Sequence, residues 1–452
     1  MQLKEHYKKN FILAYPVMLS HLGQVLVGVA DSVMVGRVGP IELAGASFGN
    51  AIFYFFMTFG LGVSLAITPL VAMADGEGDK TKCGKVLRHG FLINFVLGLL
   101  LMGIMLLMVL LLENFGQAPE VVAQAKSYLV IIAISMMPFM VFQTFRQFAE
   151  GLSMTKQPMY VSLLCNILNV VLNYIFIFGK LGFPELGLYG AGLATLISRV
   201  AMAVGMMVYV LFSERFKPYL VKIRSKVLEW KQVMQLLEIG VPAGLQFIFE
   251  VGAFGFAAIM IGWLGALPLA AHQIAISLAS ISYMAVSGMA AAATIRVGNQ
   301  LGRKDIPTLR MAVMTIFIMG VVLMSFSGII FVVGREFLPS LYIENLTVIR
   351  MAAPLLIVAA LFQLSDGIQV IGLGALRGMS DVKIPTIITF VSYWIFALPI
   401  GYVLSFWFKM GALGVWLGLF LGLTLSAGAN FIRYRKKVAK LESRFVEYSV
   451  NS

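Results

Sequence analysis

Residues 90–112 read GFLINFVLGLLLMGIMLLMVLLL, 23 residues without a charge. A helical span needs about 20 predominantly apolar residues to cross roughly 30 Å of hydrocarbon, so this run is long enough by itself. The same ruler, moved outward, finds eleven more runs: about 11–35, 48–74, 124–145, 158–179, 188–212, 236–262, 270–295, 311–333, 350–376, 384–408 and 411–432. They are too long and too uniformly apolar for barrel strands, which alternate over about ten residues. Helices are the remaining way to satisfy the backbone in lipid. The expected fold is an all-α integral membrane protein with twelve transmembrane helices.

Composition agrees. Of 452 residues, 60% are hydrophobic and 12% charged, with a mean hydropathy of +0.91. A soluble domain carries about 25% charged residues, so the bilayer must serve as solvent. The net charge of +13 raises the question of nucleic acid, and its placement answers it. If Met1 is cytoplasmic, 27 basic residues fall on the inner side, among them Lys4, Lys8, Lys9, Lys80, Lys82, Lys85, Arg88, Arg146 and Lys156. Further inner bases are Arg215, Lys217, Lys222, Arg224, Lys226 and Lys231 of the linker, Arg377, and Arg433, Arg435, Lys436, Lys437, Lys440 and Arg444 of the tail. Only 6, at Arg37, Lys126, Lys180, Arg335, Arg350 and Lys409, fall on the other side. This positive-inside bias puts both termini in the cytoplasm and the chain in the inner membrane. No basic soluble domain remains for a nucleic acid. The first apolar run, carrying His21, Gln24 and Asp31, lacks a cleavage site and reads as a retained span. Cys83 and Cys165 make neither a disulfide framework nor a metal spacing.

The chain repeats itself. A shift of 226 sets VMVGRVGPIELAG (33–45) against IMIGWLGALPLAA (259–271), and places Pro16 on Pro242, Gly62 on Gly288 and Asp79 on Asp305. EGLSMTKQP (150–158) matches RGMSDVKIP (377–385) at a shift of 227, and GLYGAGLA (187–194) matches GALGVWLG (411–418) at 224. Four segments in register point to duplication. Six spans per half make a parallel repeat, two pseudo-symmetric six-helix bundles with a pathway between them. The expected division is 1–212 and 236–432 as bundles, 213–235 as a cytoplasmic linker and 433–452 as a basic cytoplasmic tail.

Acids inside spans are the sharpest chemical signal, because each costs at least about 2.5–3.5 kcal/mol on insertion scales. Three are expected there, without a lysine to pair them: Asp31, Glu250 and Asp366. Glu250 and Asp366 approach the same depth from opposite sides and could form one site. Two adjacent carboxyls can carry a proton or hold Na+. Around Asp31 the polar candidates are Asn166, Asn169 and Asn173, on one face of the fifth span, and Thr195 in the sixth. Gln24, which faces Glu250 in the repeat, and Gln363 are further cavity candidates. These oxygens could coordinate Na+ or share a proton; amides can equally serve as glue between helices. Arg199 is expected to be structurally paired, and His272 to lie at the interface. No P-loop, zinc spacing, nucleophile elbow or dinucleotide turn appears, so no enzyme and no cofactor are expected, and transport would draw on an ion gradient.

VADSVMVGRVG (29–39), FIFEVGAF around Glu250 and FQLSDGIQVIGLGALRG (362–378), set in duplicated six-span halves, resemble the multidrug and toxic compound extrusion (MATE) family, in its NorM-type bacterial branch. The resemblance implies antiport by alternating access: an organic cation or drug leaves while Na+ or H+ enters, through a protein working as a monomer. It implies that Glu250 and Asp366 are the second bundle's cation-site acids, and that Asp31 with Asn169, Asn173 and Thr195 forms the first bundle's ion site. One position departs: relatives carry a tyrosine four residues before the span-10 acid, where this chain has Phe362. That loss weakens a second-bundle sodium site and shifts coupling toward Asp31. Two alternatives are a lipid-linked oligosaccharide flippase, whose anionic substrate calls for a basic cavity, and a non-transporting membrane scaffold, which needs neither buried acids nor a duplicated pathway.

Overall fold

The computed structural model describes residues 3–220 and 228–451, with side chains through 443; Lys222, Arg224, Lys226 and the side chain of Arg444 lie outside them. Among the described residues twelve helices are long and apolar enough to span a membrane. They are α1 (Leu3–Gly36), α2 (Pro40–Gly76), α3 (Lys80–Phe115), α4 (Pro119–Gly151), α5 (Lys156–Phe178), α6 (Gly187–Phe212), α7 (Trp230–Gly262), α8 (Ala266–Gly302), α9 (Ile306–Val333), α10 (Leu346–Gly378), α11 (Lys383–Trp407) and α12 (Ala412–Asn451). Most run past the apolar stretches that announce them. The hydropathy ruler measures hydrocarbon, whereas a helix continues until its backbone is capped or broken. At α3 the start is set by Asp79, well before the apolar run, whose carboxylate accepts the Lys82 N–H at 2.9 Å. Asp305, its partner in the repeat, caps α9 by accepting the Thr308 N–H at 3.0 Å. An N-cap carboxylate satisfies a helix donor that otherwise has no partner.

Repeated residues therefore do repeated work. Ser153 and Ser380 both take left-handed backbone, at φ 63° and 57°, a region non-glycine residues seldom enter. Packing repeats as well. In the first half α2 packs on α4, α3 on α4, α4 on α6 and α5 on α6; in the second α8 packs on α10, α9 on α10, α10 on α12 and α11 on α12. One element breaks the pattern. α5 is regular, but its counterpart α11 contains π-helical turns at Val391–Ala397 and Val403–Trp407, with Pro399 between them. Such wide turns form where the ordinary hydrogen-bond ladder is disturbed, and proline removes a donor.

The compact units do not follow chain order. One comprises Leu19–Gly244, the other Met1–Met18 with Leu245–Ser452. The changeovers, after Met18 and after Gly244, are themselves 226 residues apart, each two residues past the paired Pro16 and Pro242. In the first-named unit the start of α7 lies on α2: a Cβ on Gly62 would stand 2.5 Å from the Gly244 Cα. In the other the start of α1 lies on α8: a Cβ on Gly288 would stand 2.4 Å from Met18 Cγ and 2.9 Å from the Ala14 carbonyl. The sequence pair Gly62/Gly288 marks these two crossings. Asn10 adds a polar anchor, donating from Nδ2 to the Ala312 carbonyl at 3.0 Å and to Thr315 Oγ1 at 2.7 Å.

The described part of the linker is tied to the Leu19–Gly244 unit. Lys85 Nζ meets Glu229 Oε1 at 2.8 Å, and this ammonium holds the Glu229 carboxyl below its usual range. His89 Nε2 accepts the Glu229 N–H at 3.0 Å, just before α7 begins.

Candidate functional site

In the Leu19–Gly244 unit, α1 and α5 bring Asp31 to Asn173. Asn173 Nδ2 donates to Asp31 Oδ1 and also to Asn169 Oδ1 at 3.1 Å. Both asparagines are buried, and Asn173 Oδ1 is buried without a hydrogen-bond partner. An amide oxygen left bare costs about 1–3 kcal/mol, so this is a place where a donor or a cation is favoured. Asp31 itself is half-buried. Asn166, one turn before Asn169, stands apart: its Nδ2 packs where a Gly23 Cβ would lie, at 3.1 Å, and has no hydrogen-bond partner. Gln24 is exposed two turns before Asp31 on the same helix face, and Thr195 is half-buried.

Arg199 changes the electrostatics that the sequence suggested. Asp31 does not stand alone: the Arg199 guanidinium lies within Coulombic reach of Asp31, Tyr54 and Tyr128. Its Nη1 donates to Ser135 Oγ at 2.6 Å, and its carbon sits 4.3 Å from the Phe53 ring centroid and 5.5 Å from that of Phe139. Tyr128 donates to Asn50 Oδ1 at 3.1 Å. The cluster is thus a carboxylate, two tyrosines and a clamped cation.

The other unit carries the second cluster. Glu250 of α7 and Asp366 of α10 are both buried and within Coulombic reach of one another. Gln369, one turn beyond Asp366, donates from Nε2 to Glu250 Oε1 at 3.3 Å and accepts the Tyr393 hydroxyl at 3.1 Å on Oε1. Among the described residues no side chain hydrogen-bonds to Asp366. Tyr283 and Tyr393 both lie within Coulombic reach of the two acids. Arg377, which the sequence placed in an inner loop, lies in the last turn of α10. It reaches the field of Glu250, with its carbon 5.8 Å from the Phe247 ring centroid. Each half thus has an arginine within Coulombic reach of an acid, Arg199 for Asp31 and Arg377 for Glu250, although among the described residues neither forms an ion pair with it.

Gln363 is brought to Ser282 rather than to the acids, donating from Nε2 to Oγ at 2.6 Å. Phe362 lies flat on Trp416, with centroids 5.5 Å apart and an 18° interplanar angle, so its position is a packing one here. His272, in the second turn of α8, is 2% exposed and accepts the Trp416 indole N–H at 3.1 Å. A further buried charge, Glu150, also escaped the sequence reading. It pairs with Arg146 at 2.7 Å inside α4, and Arg146 also meets His21 at 3.0 Å. The apolar run ends near residue 145, which made both look like loop residues.

Twelve apolar helices in two units, one with Asp31 beside Arg199 and the other with the buried Glu250 and Asp366, define a duplicated polytopic helical membrane protein. The MatE family model matches residues 16–175 and again 242–403, once in each half, and the chain belongs to this family. It is 36% identical over 433 residues to Multidrug resistance protein NorM of Photobacterium profundum, covering 94% of each chain. It is 34% identical over 428 residues to Multidrug resistance protein MdtK of Yersinia pseudotuberculosis, again covering 94% of each. A crystal structure of a MATE protein in complex with MaL6 superposes with a TM-score of 0.90 at 22% identity, covering 97% of each chain; at that identity the likeness speaks to the fold.

Proposed function

We propose that this chain exports organic cations and drugs from the cell by alternating access, in exchange for Na+ or H+, as a monomer with both termini cytoplasmic. The observation that carries the reading is the Glu250–Asp366 pair: two buried carboxyls within Coulombic reach of one another, one of them without a hydrogen-bonding side chain among the described residues. Buried charge without a partner is expensive, so such a pair favours a cation. A coupling ion neutralises the pair and weakens its hold on a cationic drug; once the ion leaves, the acids attract the drug again. This is differential affinity, the only means by which a ligand shifts a conformational equilibrium. The names of the NorM and MdtK relatives support the drug side of the exchange. The oxygens of Asp31, Asn169 and Asn173 offer a second ion site in the first half.

The test is ethidium efflux from proteoliposomes under an imposed Na+ gradient and, separately, an imposed H+ gradient. E250Q and D366N should each abolish efflux while leaving expression intact. D31N should uncouple efflux from the gradient. Full gradient-driven efflux in E250Q or D366N would sink the proposed role.

A further inference from the structure

We propose that a groove between α11 and α12 is a binding site for an anionic phospholipid. The groove encloses about 630 Å³. Its wall toward the spans is apolar, built from Ile384 and Ile388 of α11 and Ile432 of α12. Its other end carries four cations, Arg433, Lys436, Lys437 and Lys440. These four recur at helical spacing along one face of α12, where residues three and four apart are neighbours.

The division of labour within the cluster leaves two of the cations to face an anion. Arg433 grips Asp381 with two hydrogen bonds of 2.9 Å, and Lys437 shares the same carboxylate at 3.3 Å. One acid therefore holds two of the cations in place. Lys436 and Lys440 are exposed and have no acidic partner among the described residues. The nearby Glu442 is engaged by Arg310 at 3.7 Å. Charge beside a hydrocarbon-facing wall selects an amphiphile: a phosphate headgroup against the lysines, acyl chains along the isoleucines. Basic pockets between spanning helices at the membrane surface favour such headgroups.

A general excess of basic residues at helix ends does not account for the cluster. At the repeat's shift of 224, Arg433, Lys436, Lys437 and Lys440 face Tyr209 and Phe212 in the last turn of α6 and Ser213 and Phe216 just beyond it, none of them a cation. The first half's own bases, Arg215 and Lys217, fall at other positions of the repeat, facing Ala439 and Leu441.

The experiment is native mass spectrometry of the full chain titrated with phosphatidylglycerol, phosphatidylcholine or inorganic phosphate, for wild type and two charge-matched double variants. Wild type should prefer phosphatidylglycerol. K436Q/K440Q should lower that affinity about thirtyfold, since each lysine near a lipid surface contributes on the order of one kilocalorie per mole, without changing phosphatidylcholine binding or the melting temperature. R303Q/K304Q, in the turn between α8 and α9, should leave phosphatidylglycerol binding unchanged. Equal loss in both variants would reduce the site to a diffuse field and overturn the proposal. So would the absence of a headgroup preference, or competition by inorganic phosphate as effective as the lipid. The site rests on the membrane-spanning fold; because no transport is read, its failure is separable from failure of the efflux reading.

Discussion

Gln369 stands between two groups that would otherwise face each other unsatisfied, the Glu250 carboxyl and the Tyr393 hydroxyl. Replacing it with leucine strips both at once. Each buried polar group left bare costs about 1–3 kcal/mol, so Q369L should melt clearly below wild type in detergent, whereas Y393F removes one bond worth about 1 kcal/mol. Equal melting temperatures for the two variants would mean that Gln369 is not the bridge. Arg199 invites a functional test. As a fixed cation near Asp31 it competes with any ion bound there, and R199Q should allow half-maximal efflux at roughly tenfold lower concentration of the driving ion, corresponding to about 1.4 kcal/mol of relieved competition. The acids and asparagines were legible because carboxylates and amide rows stand out in apolar text. The tyrosines, Gln369 and Arg377 were not, whereas Arg199 was expected to be structurally paired and is held by Ser135 and Phe53. Tyrosine is common at membrane interfaces, and Arg377 looked like loop because hydropathy ends before the helix does. Only the fold could bring α11 to α10 and show that Tyr393 belongs with Glu250.

Within α4, Arg146 and Glu150 lie one turn apart with side chains only 3% and 4% exposed. Breaking a buried pair leaves an uncompensated charge, which costs about 3–5 kcal/mol, while replacing both partners with apolar groups is often nearly neutral. R146L and E150L should each destabilise strongly, and R146L/E150L much less than their sum; additive losses in thermal melts would contradict the pairing. The glycine crossings make a matched prediction. A side chain at Gly62 or Gly288 meets backbone or a packed methionine within 3 Å, so G62V and G288V should each destabilise the fold by the roughly 1–3 kcal/mol typical of overpacking, or more, and lower the melting temperature accordingly. At Gly255, where nothing lies within 4 Å, the same substitution is the control. Element boundaries were the weakest part of the sequence reading: caps such as Asp79 start a helix on backbone chemistry, to which hydropathy is blind.

Twelve spans and the duplication were readable from apolar run length and from four matched segments, because a bilayer imposes one length on every element and leaves few alternatives. Topology can be tested directly. If charge placement sets orientation, reporter domains fused at either end should be active only on the cytoplasmic side. What no run of residues disclosed is the exchange of helix starts between the compact units, since a packing partner is not written into the segment that needs it. That exchange bears on the order in which the chain is made. The start of α1 is made before the Leu19–Gly244 unit, yet α8, on which Ala14 and Met18 pack, is synthesised only after the whole of that unit. That unit in turn stays open until the start of α7 has arrived to close on Gly62. A chain cut within 221–227 would yield two fragments, each holding the missing piece of the other. Neither should fold alone, and both together should restore the protein. Biogenesis of this molecule is therefore a matter of waiting, with the start of α1 held in reserve until the Leu19–Gly244 unit has passed.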